Sequence, residues 1–288
     1  MEKIGNQKIW SFFDGATGAR AATNQAIRAG AGHRVKTFFE LASKVAELQF
    51  RNRDHVLLFR GQPTDHMSQK GNSTLKATLF RLSGKVVPSP KVIEQRFATL
   101  RLAESGLVTR YTSAKFLGFQ RLQRHRILRW AILQHYGVCS TPLLDVTQSL
   151  RIAVSFATRN NETADAYLFV LGVPNLSGAV TASSEANLQI VRLSSACPPE
   201  AVRPHLQEGY LLGEYPDIVD FEHRARYAYY EMDFGRRLVA KFRFDAEGIW
   251  SNPDFPPASE KALYPLEHRD PILNLAQELK TSLNPPGT

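Results

Sequence analysis

Apolar positions along this chain switch between a helical spacing of three to four and a strand-like alternation of two. Val35, Phe38, Phe39, Leu41, Ala42, Val45 and Leu48 share the helical spacing and predict an amphipathic helix over 35–50. Val92, Ile93, Phe97, Leu100 and Ala103 predict a second over 90–105, interrupted by Gly106 and the Thr/Ser cluster at 109–113. A third is predicted over 116–135 from Phe119, Leu122, Ile127, Trp130, Ala131 and Leu133, with Gly137 as its stop. Further helical patterns cover 149–159, 217–231 and 265–283, and a helical turn follows Pro198-Pro199-Glu200 through Gln207.

The strand signals lie between these helices. His55 to Arg60 reads as a buried strand running into a loop, and a short strand follows 141. Ala166 to Val173, Leu188 to Leu193, Gly209 to Leu212 and Leu238 to Phe244 are the remaining strands, the last alternating Leu238, Ala240, Phe242 and Phe244 on one side. Leu75 to Arg81 reads as an extended or irregular piece, and 245–264 as loop. Helices segregated from strands predict an α+β fold, a single compact domain with a central mixed or antiparallel sheet flanked by helices. The expected organisation is an arm and a mobile Gly/Ala/Arg/Asn-rich linker over 1–34, one domain over 35–283 and a frayed tail over 284–288.

Charge narrows the picture. The net charge of +9 on 288 residues favours polyanionic surroundings. Arg121, Arg124 and Arg129 on the third helix are the candidate contacts to a nucleic acid or acidic protein, with plain solvation of that face as the simpler alternative. Cys139 and Cys197 form no CxxC pair, and so few cysteines suggest a reducing compartment. The start of the chain lacks the apolar core of a secretory signal. No apolar run is long enough to span a bilayer, so a cytoplasmic protein without membrane contact is expected.

Several chemistries drop out. Gly30-Ala31-Gly32-His33-Arg34-Val35-Lys36-Thr37 lacks the Gly before Lys and the preceding strand of a phosphate loop. No serine sits in a Gly-x-Ser-x-Gly elbow, and no histidine pairing suits a metal, so none is expected. Three polar blocks remain. The first is Phe59-Arg60-Gly61-Gln62 with Thr78-Leu79-Phe80-Arg81. The second is Gln134-His135-Tyr136-Gly137, leading to Thr141-Pro142-Leu143-Leu144-Asp145-Val146-Thr147. The third is Arg203-Pro204-His205-Leu206-Gln207-Glu208-Gly209-Tyr210.

An unpaired carboxylate at the lip of a buried strand is costly, so a basic group should face Asp145, and Arg60 is the best candidate. Arg60 offers a planar fork suited to a pyrophosphate or a carboxylate, and the two residues can also simply pair and seal the fold. Backbone groups at Gly61 suit a carboxamide, and Tyr136 or Tyr210 can stack on a flat ligand ring or sit in the core. His135, at an exposable helix C-terminus, would have its charged form favoured by the helix dipole and could serve as an acid, a phosphate contact or simply a cap.

In order and spacing these blocks resemble the FRG domain family, across residues 35–245. Pro142 stands where the family usually has Arg, and Val146 where it often has Trp. The block order is in turn similar to that of ADP-ribosyltransferases. That resemblance implies Arg60 as the first element, Asp145 with the Ala153-Val154-Ser155-Phe156-Ala157 helix as the second, and Gln207 near the third, where those enzymes carry Glu. It implies an NAD-consuming transferase acting on a nucleic acid or protein, in the manner of a toxin or defence effector. Catalytic residues would be Arg60, Asp145 and Gln207, with Glu208 as a further carboxylate. NAD contacts would come from Gly61, Gln62, Arg81, His135, Tyr136, Thr147, Arg203 and Tyr210. The other function open to these residues is a non-catalytic module for a nucleotide, nucleic acid or protein.

Overall fold

The computed structural model describes residues 1–4, 8–82, 86–265 and 269–283, so the tail expected at 284–288 lies outside the described residues. In chain order, β1 (Ile9–Ser11), β2 (Arg20–Ala22), α1 (Asn24–Ala29), β3 (His33–Arg34), α2 (Phe38–Arg51) and β4 (Val56–Gln62) come first. A 3-10 turn at Thr78–Phe80 precedes α3 (Pro90–Ser113), α4 (Phe119–Arg124), α5 (Arg126–His135), β5 (Leu144–Thr147) and α6 (Leu150–Thr158). Next are β6 (Asp165–Val173), β7 (Val180–Ser183), β8 (Leu188–Arg192), α7 (Leu193–Ala196), α8 (Val202–Leu206) and β9 (Gly209–Glu214). The chain closes with α9 (Phe221–Ala225), β10 (Leu238–Asp245), α10 (Glu260–Leu263) and α11 (Pro271–Leu283). The fold class is α+β, with a mixed sheet and flanking helices. The contacts fall into two units, neither of them continuous in sequence: 1–75, 146–176 and 233–260 in the first, and 76–145, 177–232 and 261–288 in the second.

The first unit is built on β6. Every residue of β6 from Ala166 to Val173 except Tyr167 is buried, as suits a strand paired on both sides. It runs antiparallel to β4, from Val56↔Val173 to Gln62↔Tyr167, and antiparallel to β10. β3 joins β10 in parallel, and β5 meets β4 at Phe59↔Thr147. α2 starts at Thr37, whose hydroxyl accepts from the Glu40 amide, and buries Phe38, Leu41, Val45 and Leu48. Its end is fixed by Asn52, whose amide donates to Leu48 O and Trp10 O and whose Oδ1 accepts from Trp10 N.

Residues 15–34 are not a mobile linker. Asn24 is fully buried and donates to the carbonyls of Gly235 and Leu238, while Arg28 pairs with Asp233 at 2.6 Å. A composition that suggests mobility is here consumed by polar side chains that fix backbone 200 residues away in sequence.

In the second unit, α3 runs eight residues past its expected end. Gly106 does not break it, because a side chain there would meet Leu279 Cδ1 of α11 at 2.6 Å. The glycine admits a close helix crossing, and that gain outweighs its poor helix propensity. The single helix expected over 116–135 is two, since Gly118 (φ 84°) starts α4 and His125 (φ −110°, ψ 107°) separates it from α5. α5 does end as expected at Gly137 (φ 65°), with Gly137 N bonded to Gln134 O and Val138 N to Leu133 O. The helix expected over 217–231 shrinks to α9, capped by Asp220. β9, β8 and β7 form an antiparallel run, in which β7 has no signal in the sequence pattern.

Candidate functional site

The candidate residues divide between the two units. In the first, β4 ends in Phe59-Arg60-Gly61-Gln62. A Cβ on Gly61 would lie 1.7 Å from the carbonyl oxygen of Ala153 and 3.0 Å from Ala157 Cβ, so the bare backbone lets α6 press directly onto the strand. Strand alternation sends Arg60 and Gln62 to the opposite face. Thr147 is buried, and its hydroxyl accepts from Ser149 N to start α6.

Residues directly opposite across a sheet share a face, which places Phe169 and Lys241 beside Arg60, and Tyr167 and Arg243 beside Gln62. Lys241 is 1% exposed. Its ammonium lies 2.6 Å from Asp65 Oδ2 and 2.7 Å from Ser73 Oγ. Two buried acceptors on this unit, Gln62 Oε1 and Asp65 Oδ1, have no hydrogen-bond partner among the described residues. Sequence reasoning passed over Lys241 because it interrupts no pattern; it sits on the less apolar side of an alternating strand.

The second unit gathers the remaining candidates. Asp145 accepts a 2.6 Å bond from the Gln134 amide, and Gln134 Oε1 in turn accepts from Thr141 Oγ1 (2.6 Å) and Thr78 Oγ1 (3.1 Å). Gln134 belongs to the second block yet was not singled out. The need of a half-buried carboxylate for a donor is the signal that would have found it. Surrounding protein lowers the Arg81 pKa, and Asp145 opposes that shift, so the two charges feel one another. Burial likewise lowers the pKa of Arg203, against the pull of Tyr264, Tyr136, Asp145 and Asp270.

The Arg203 guanidinium lies 4.6 Å from the Tyr264 ring centroid and 5.7 Å from that of Tyr136. Asp270, fully buried, accepts from the Tyr136 hydroxyl at 2.9 and 3.0 Å and from Arg203 N at 2.9 Å. Asp270-Pro271 also carries the cap-then-proline signature of a helix start, and α11 begins there. Tyr264 has no comparable sequence signal.

One expectation changes here, and three further candidates lie in the interior. His135 is buried rather than exposable, and burial first, then Arg203, drives its pKa well below 6.5, so it is neutral rather than charged. Tyr136 is buried with its hydroxyl held by Asp270, and Tyr210 is buried with Arg192 5.9 Å from its ring. The aromatic rings offered for stacking are therefore largely covered by protein. Gln207 is also buried, and its amide donates to Leu263 O at 2.6 Å, which gives that carboxamide a structural task. Two buried nitrogens of this cluster, Arg203 Nε and His135 Nε2, have no hydrogen-bond partner among the described residues.

The basic face changes too. Arg121 and Arg124 are exposed, but Arg129 turns inward to donate to Leu122 O and Gln123 O and lies 3.6 Å from buried Glu104. It closes the end of α4. An open recess of about 680 Å³ on α11, walled by Asn274, Gln277, Glu278, Thr281 and Ser282, includes none of the candidate residues.

The molecule is thus an α+β protein whose second unit concentrates arginine, tyrosine and carboxylate around Asp145 and Arg203. The FRG domain family model matches residues 55–166, so that span is an FRG domain. It contains the first two blocks, while Arg203 to Tyr210 lies beyond it. No curated protein and no solved structure matches the chain significantly. Among the described residues, no helix is long and apolar enough to cross a membrane.

Proposed function

We propose that the chain is an NAD-consuming, ADP-ribosyltransferase-like protein whose acceptor is a nucleic acid or a protein. The observation that carries this reading is the grouping of Arg81 and Arg203 around the carboxylate of Asp145, with a buried Arg203 nitrogen that has no acceptor among the described residues. Guanidinium forks suit a pyrophosphate. In the transfer, the bond from ribose C1′ to the nicotinamide nitrogen breaks and nicotinamide leaves with the electron pair. An acceptor nucleophile then bonds to C1′ and loses its proton. Positive charge develops on the ribose between those events, and a carboxylate held in place by Gln134 stabilises it without reorganising.

The test is adenylate-labelled NAD with mixed protein, DNA and RNA acceptors, scored for label transfer and nicotinamide release. Asp145→Asn should lower turnover by about 100-fold or more while leaving the fold intact. Arg203→Ala should weaken NAD binding, and Arg60→Ala examines the first unit's arginine in the same assay. A second reading, a non-catalytic nucleotide module, is favoured by Gln207, since its carboxamide is held at Leu263 where the transferases carry Glu. NAD that raises the melting temperature without releasing nicotinamide selects that module. NAD that does neither removes both NAD readings.

A further inference from the structure

From Glu104 to Asp145 the chain contains no acidic residue, yet it carries Arg110, Lys115, Arg121, Arg124, Arg126 and Arg129. Two of these are consumed internally. Arg110 donates to Gly106 O and Ser282 Oγ, and Arg129 closes α4. Lys115, Arg121 and Arg124 are exposed, and Arg126 is 42% exposed although Glu104 lies 3.4 Å away. Between them stand Leu117, 70% exposed, and Phe119, 37% exposed.

This apolar exposure is built in. Lys115 turns left-handed (φ 55°) after α3, and Gly118 (φ 84°) does so before α4, which leaves Leu117 projecting between the two turns. The buried Tyr111 fixes the loop from below: its hydroxyl donates to Leu117 O at 2.8 Å and its ring meets Phe116 edge-on at 5.3 Å.

We propose that Lys115–Arg126 is a binding surface for single-stranded nucleic acid. Arg121 and Arg124 stand three apart on α4, hence on one face with Cβ atoms about 5–6 Å apart, so their forks can take neighbouring phosphates. Phe119 and Leu117 supply apolar surface for unpaired bases, which stack on aromatic rings regardless of sequence. A bilayer fits poorly, because α4 has six residues and turns Leu122 inward, too little for an interfacial helix. The proposal is independent of NAD.

The experiment is fluorescence anisotropy of the full chain with a labelled single-stranded oligonucleotide and no NAD. Three to four phosphate contacts imply a log–log salt slope of about −2 to −3, or roughly 20- to 50-fold weaker binding between 50 and 200 mM salt. Arg121→Ala/Arg124→Ala should reduce that slope by about 1.4. Phe119→Ala should weaken binding with the slope unchanged, and the equal charge loss of Arg53→Ala/Lys70→Ala, in the other unit, should leave the slope as it was. Unchanged binding by Arg121→Ala/Arg124→Ala overturns the proposal. So does equally tight binding of polyglutamate or phosphatidylserine vesicles, or a dimer by light scattering that Leu117→Ser dissolves.

Discussion

Replacing Gly61 by alanine separates a packing glycine from a ligand-binding one. The added Cβ would stand 1.7 Å from Ala153 O and 2.7 Å from its carbonyl carbon. Ordinary contact of carbon with these atoms needs well over 3 Å, so α6 must retreat from β4 by well over an ångström. No rotamer relieves this, because the obstruction is backbone. The retreat would open the packing of Ala153, Val154 and Ala157, all fully buried. Overpacking a core by a methylene costs about 1–3 kcal/mol when side chains can yield. With main chain on both sides the cost should exceed about 4 kcal/mol, a large share of a typical domain's stability. Gly172→Ala is the comparison, since its Cβ meets side-chain tips of Val239 and Ile4 at 2.7 and 2.9 Å and the ring of His55 at 3.1 Å. It should fall within the ordinary overpacking range. Urea denaturation of the two variants beside wild type measures both. A Gly61→Ala protein within about 1 kcal/mol of wild type would refute the packing argument, whatever its effect on NAD.

Three further outcomes follow from buried polar groups. His135 has a folded pKa well below its unfolded 6.5, so the unfolded chain takes the proton first. Its contribution is fully present above that pH and is lost as pH falls towards the folded value, by about 1.4 kcal/mol per pH unit. The stability difference between wild type and His135→Gln should carry that slope, and a flat difference from pH 7 to 5 would sink the reading. Burial pushes both thiols, Cys139 and Cys197, up to about 12. A chromogenic disulfide reagent at pH 8 should therefore label them only after denaturation, and rapid labelling of the native protein contradicts this. Asp65→Ala leaves the Lys241 ammonium buried without its carboxylate and should cost about 3–5 kcal/mol, while Asp65→Leu/Lys241→Met should cost less; equal losses would argue against a charge penalty.

The long periodic elements α2, α5, β6 and β10 were legible because their own spacing decides them. What failed depended on distant chain. Gly106 reads locally as a breaker, and only Leu279 of α11 explains it. The segment 15–34 reads as tether until Asn24 and Arg28 find Leu238 and Asp233. At the site, the blocks named Asp145, Arg81 and Arg203, and the structure brings these within electrostatic reach. The burial of His135 was hidden, because helix-end position says nothing of what distant chain packs over it. Tyr264 and Asp270 fall outside every block and reach Arg203 only through the fold.

The discontinuous first unit bears on how this protein can be cut. Each β6 residue that pairs with β4, Tyr167 through Val173, lies after residue 166, where the FRG match ends. A fragment trimmed to 55–166 would present Leu57, Leu58 and Phe59 on a strand stripped of its β6 partner, inviting intermolecular pairing. The recognisable sequence signature and the piece of polypeptide able to fold are therefore different objects here. Expression of the signature alone should yield aggregate, and inheritance of the signature must carry β6 and β10 with it.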